Sequence, residues 1–74
     1  MKPYKFHEAL NMMVTKGSKF WTDGIDPDAF YSFDPYINVI LFNQDENRAE
    51  ETQATISELL SWDWYLTKEE KHET

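Results

Sequence analysis

The chain has no cysteine, so a disulfide framework, a thiolate zinc site and a thiol nucleophile are all excluded. Its two histidines, His7 and His72, stand near opposite ends, which argues against a metal staple. Glycine is nearly as scarce: Gly17 and Gly24 are the only two, too few for a phosphate-cradling loop. No Gly-x-Ser-x-Gly elbow is present, so a serine triad has no local signature. Cations are few. Seven Lys and Arg face fourteen Asp and Glu, and the formal charge of -7 repels the phosphates of nucleic acids and anionic lipids. Long apolar runs are missing too: the longest, Tyr36 to Phe42, contains Asn38 and falls far short of the roughly 20 residues of a membrane span. The first eight residues hold no apolar signal region, so the expected location is a reducing cytoplasm. Asp26 with Asp28, or Asp45 with Glu46, could hold a hard cation, but no spacing matches the calcium-binding loop. The expectation is a protein without metal, cofactor or catalytic residues.

What the chain does have is aromatic surface. Phe, Tyr and Trp make up 16% of 74 residues while mean hydropathy is only -0.71. Disordered chains are poor in aromatics. Each such ring can bury about 150–250 Å², so the composition implies a folded domain with an acidic exterior. A chain this short buries only about 60% of its unfolded surface, and part of the aromatic surplus is expected at a subunit interface or a binding cleft.

Phe6, Ala9, Leu10, Met13 and Val14 recur at helical spacing, predicting a helix over Lys5 to Lys16, with Gly17 as its left-handed cap. Ser18 to Thr22 reads as a short extended segment carrying Phe20 and Trp21, and Asp23-Gly24 as a turn. Ala29 to Phe33 reads as a strand. After an Asp34-Pro35 turn, Tyr36 to Phe42 is the strongest strand signal and is expected centrally in an antiparallel sheet. Asn43 to Glu50 reads as a solvated charged loop. Thr55-Ile56-Ser57-Glu58 has the form of a capping box, opening a short helix to about Ser61 with Ile56, Leu59 and Leu60 on its inner side. Trp62 to Leu66 closes the pattern as a strand with Trp62, Trp64 and Leu66 on one face. The expected fold class is α+β, an N-terminal helix and a short C-terminal helix packed on a small antiparallel sheet. Residues 1–66 would form one domain, and residues 67–74 a charged tail.

Two segments carry a likeness to a known family. Phe6-His7-Glu8-Ala9-Leu10 followed by Gly17 and Trp21, and Ser57-Glu58-Leu59-Leu60-Ser61-Trp62-Asp63-Trp64 near the end, resemble a phage-encoded family of small proteins that includes the second Thoeris anti-defence sponge. The likeness runs in order from Phe6 to Leu66, and the Asp63-Trp64 ending after Leu59-Leu60 is its most distinctive part. It implies an α+β homo-oligomer in the host cytoplasm that sequesters a cyclic nucleotide immune signal without hydrolysing it, in pockets between subunits. Carried over, Phe6 would stack at the pocket edge, Trp21 would form an aromatic wall, Asp63 would accept hydrogen bonds from base or ribose, and Trp64 would anchor the last strand in the core. Asn38 joins the candidate site from its polar placement within its strand. The chain departs from the family in having no arginine before Trp21 and only Arg48 in all. Ligand phosphates would therefore be held largely by neutral donors and backbone N–H groups.

A rival function follows from charge alone. An acidic interaction protein, a DNA mimic or an inhibitor of a host factor, would place its carboxylates on a basic partner surface.

Overall fold

The computed structural model describes residues 2–67. The first helix, α1 (Phe6–Lys16), buries Phe6, Ala9 and Met13 and leaves Val14 half exposed at the edge of the expected stripe. Lys5 N donates to Glu8 Oε1 at 2.8 Å, satisfying one orphan donor at the helix start. Gly17, at φ 70°, ends the helix in the left-handed region, with its N–H bonded to Met13 O at 3.1 Å.

Five strands follow, all antiparallel: β1 (Phe20–Thr22), β2 (Phe30–Asp34), β3 (Val39–Asp45), β4 (Arg48–Glu51) and, after the second helix α2 (Ile56–Ser61), β5 (Trp64–Leu66). Their order across the sheet is β4-β3-β2-β1-β5, so the α2 connection carries the chain from one edge to the other. Two helices packed on an antiparallel sheet make the fold α+β, as expected from the sequence. Tyr4 bridges to Trp64 through paired backbone bonds of 2.7 and 3.0 Å, covering part of the β5 edge. The opposite edge, β4, is exposed throughout and carries Arg48, Glu50 and Glu51, charges that oppose edge-to-edge pairing.

Four expectations need correction, the first being the strand expected from Trp62, which begins only at Trp64 because Trp62 caps the end of α2. The strand expected over Tyr36–Phe42 begins only at Val39. Asp34 Oδ1 accepts from Tyr36 N at 2.9 Å, and Asn38 N donates to Asp34 O at 2.8 Å, which curls residues 34–38 into the β2–β3 turn. β3 is an inner strand, but β2 holds the middle of the sheet. The charged loop expected over Asn43–Glu50 is instead the end of β3, a tight turn and most of β4. Asp45 Oδ1 accepts from Asn47 N at 2.8 Å to close that turn, and polar residues suffice for an edge hairpin that buries little. In α2, Leu59 is buried, whereas Ile56 and Leu60 are exposed. Trp64 Nε1 donates to Leu59 O at 3.1 Å, tying the last turn to β5 with Leu59 inward. The Thr55 cap is formed as expected, with Glu58 N donating to Thr55 Oγ1 at 3.2 Å and Thr55 N to Glu58 Oε1 at 2.8 Å.

Both helices lie on one face of the sheet. Phe6, Ala9, Met13 and Leu59 meet Phe20, Tyr31 and Trp64 there in one core cluster. Trp64 is fully buried and packs against Phe6, Phe20, Tyr31 and Trp62 at centroid distances of 5.4, 6.5, 5.3 and 6.1 Å. Each such ring pair adds about 0.5–1.5 kcal/mol beyond area burial, so this one tryptophan joins both helices to the sheet. Among the described residues no helix is long and apolar enough to cross a membrane. The charged tail expected over residues 67–74 lies, except for Thr67, outside the described residues, as does His72.

Candidate functional site

Side chains alternate along each strand, so the residues between the core positions form the other, open face. Register places Trp21 beside Tyr65, Phe30 beside Asn43 and Ser32 beside Leu41 on that face. It is not bare. Asn43 is buried, and its Nδ2 donates to Ser32 Oγ at 2.8 Å and to the Phe30 and Leu41 carbonyls at 3.3 Å. Phe30 is buried as well, with Lys19 Nζ 5.1 Å from its ring centroid, within cation–π range.

At one end of this face the surface opens into a cleft of about 710 Å³. Trp21 and Tyr65 line it together with Phe30, the Pro27–Ala29 segment that leads into β2, and Asp45 and Glu46 from the β3–β4 turn. The Trp21 indole is held by a 3.0 Å bond from Nε1 to Asp26 O and lies 6.0 Å from the Tyr65 ring, tilted by 50°. Rings so tilted do not form a parallel slot, so a flat ligand would lie against one of them rather than between them. Asp28, Asp45 and Glu46 give the rim negative charge. They can accept hydrogen bonds from amino or hydroxyl groups, and they repel phosphate at their end of the cleft. The Tyr65 phenol is held above its ordinary value, first by loss of solvent and then by the carboxylates of Asp23 and Asp63.

The four expected site residues do not converge. Trp21 lines the cleft. Asp63 is exposed just before β5 and influences Tyr65 electrostatically without lining the cleft. Phe6 belongs to the core on the opposite face, 5.4 Å from Trp64, and is not at a pocket edge. Asn38 is an exposed turn residue at φ 58°, a left-handed conformation that asparagine tolerates, and has no place in a strand or in the cleft. Sequence reasoning missed Tyr65, Phe30 and the turn carboxylates as cleft residues. Tyr65 was within reach, since alternation from the buried Trp64 puts it opposite the core. Asp45 and Glu46 depended on recognising the second hairpin.

Chemically the cleft offers aromatic faces and carboxylates, and His7 is exposed on α1 across the sheet. Among the described residues no group of three or more His, Asp or Glu is placed to hold a metal ion. Comparison with protein-family models, curated proteins and solved structures returned no match to this chain.

Proposed function

We propose that the protein is a non-enzymatic binder that sequesters a cyclic nucleotide signal, with the Trp21–Tyr65 cleft as its site. The observation that carries this reading is an aromatic cleft of about 710 Å³, within the roughly 300–1,000 Å³ of small-molecule sites, on a sheet face that no helix covers. Stacking a base on an exposed aromatic ring contributes about 1–3 kcal/mol. On this reading the ligand turns its base or ribose hydroxyls toward Asp28, Asp45 and Glu46 and its phosphates away from them, which the negative rim favours. The family likeness of the Phe6–Leu10 and Ser57–Trp64 segments supports the same reading, and with it a homo-oligomer working in a host cytoplasm. A second copy would close a cleft that one chain leaves open. Binding without turnover removes a messenger by mass action when the protein is abundant and the site tight.

A panel of cyclic di- and trinucleotides and cyclic ADP-ribose isomers, each assayed for a melting shift and then recovered by heat denaturation, tests the proposal. A stabilising ligand released unchanged is the expected result. Absence of any shift across the panel refutes it, and altered ligand points to an enzyme. A second reading is favoured by that same acidic rim and the charge of -7: an acidic interaction protein for a basic partner. Salt-sensitive capture of one basic protein, with no nucleotide shift, would replace the first reading with the second.

A further inference from the structure

The covered face of the sheet holds a separate pocket of about 480 Å³, beyond the reach of α1, where α2 and residues 52–54 stand beside β3 and β4. Its floor is aromatic. Tyr31, Phe42 and Trp62 line it, with the Tyr31 ring 5.4 Å from Phe42 and 6.1 Å from Trp62. Two carboxylates stand at its mouth, Glu50 from β4 and Glu58 from α2, while Glu51, paired with Leu41, faces the other side of the sheet. No Lys, Arg or His is among its described lining residues. Glu50 pairs with Phe42 in the β3–β4 register, so the two share a face. Glu58 is fixed by the helix cap, its Oε1 accepting from Thr55 N at 2.8 Å, and its charge is therefore presented in one place. Aromatic faces beneath two carboxylates make a poor site for an anion and a good one for a flat organic cation. A guanidinium can stack on rings and bond to carboxylates at once, which an ammonium does less well.

We propose that this pocket receives an arginine side chain from a protein partner. The occupant is chosen by charge complementarity, with the Glu50 and Glu58 carboxylates against no cation among the described lining residues. The pocket and the Trp21 cleft lie on opposite faces of the sheet, so the proposal stands or falls independently of nucleotide binding.

The test is an NMR titration of the full chain with the capped tripeptide glycyl-arginyl-glycine amide, with its neutral citrulline counterpart as control. Expected are saturable shifts of the Trp62 indole N–H and the Thr52 and Ala54 amides with the arginine peptide and none with citrulline. Glu50→Gln combined with Glu58→Gln keeps the Thr55 cap, because glutamine also serves a capping box. It should weaken binding about fivefold or more, a size suited to partly exposed charge contacts. If that double variant does not fold, Glu50→Gln alone on the exposed edge strand should weaken binding at least twofold, by about 0.4 kcal/mol. Equal shifts with citrulline, shifts confined to Trp21 and Tyr65, or unchanged affinity in the charge variants would each overturn the proposal. Shifts with spermidine but not with the peptide would also overturn it, by assigning the pocket to a free polyamine.

Discussion

The two faces of the sheet use alternate residues of the same short strands, and they differ in what lies above them. On the covered face Phe20 and Trp64 are fully buried and Tyr31 nearly so, under α1 and α2. On the open face Trp21 and Tyr65, one residue along in β1 and β5, remain half-buried and border a cleft. Aromatic composition alone does not separate these roles. The helices decide, by removing one set of rings from water and leaving the other accessible. Stability should therefore reside on one face and cleft binding on the other.

Trp64→Ala should show the largest effect. It empties a fully buried site and removes the Nε1 bond to Leu59, for a loss of about 3–5 kcal/mol, a large share of the roughly 4–11 kcal/mol expected of a chain this size. Urea denaturation measures it directly. Asn43→Ala examines the open face's own polar anchor. With the Phe30, Ser32 and Leu41 acceptors left behind, about 1–3 kcal/mol should be lost. A larger loss than for Trp64→Ala would break the comparison, because the open face would then carry the greater share of stability.

Trp21→Ala sharpens the contrast most. Its unfolding free energy should fall by less than about 1 kcal/mol, as for a partly exposed residue outside the core, while the nucleotide-dependent melting shift disappears. Equal losses of stability in Trp21→Ala and Trp64→Ala would abolish the division between the faces.

The smallest effect is alkaline. Burial raises the Tyr31 phenol above its ordinary value of 10.0, a hydrogen bond with the Thr52 side chain opposes the shift, and the Glu58 carboxylate adds to it. Above about pH 10 the unfolded chain gives up this proton before the folded one does. The stabilisation is complete below that pH and is lost as pH rises through the folded value. Denaturation midpoints should fall above pH 10, and Tyr31→Phe should flatten the fall more than Tyr65→Phe, whose ring faces the open cleft.

Much of the architecture was legible because it rests on local chemistry. Gly17 after Lys16, Thr55 three residues before Glu58, and Asp34-Pro35 each satisfy or terminate backbone bonding within a few residues. Asn38 and the β3–β4 hairpin were misread because their signals conflict. An apolar run hid a left-handed turn, and a polar run hid two paired edge segments that need little burial. The site was less legible than the fold. Trp21 lines the candidate cleft, but Phe6 answers to the same aromatic criteria and belongs to the core, since nothing in a residue's type says which face of a sheet a helix will cover.

Seventy-four residues without cysteine, with few glycines and a surplus of aromatics and acids, were by themselves enough to determine a small α+β domain with no thiol chemistry and no glycine-rich phosphate loop. These properties follow from composition and short-range hydrogen bonding, so they survive any choice of packing. Tertiary structure alone decided that Trp64 is core and Trp21 is cleft, and that Asp28, Asp45 and Glu46 form one acidic rim. It also set Glu50 and Glu58 over one aromatic floor. Each of these depends on strand order and helix placement, long-range pairings that bring residues far apart in the chain onto one surface.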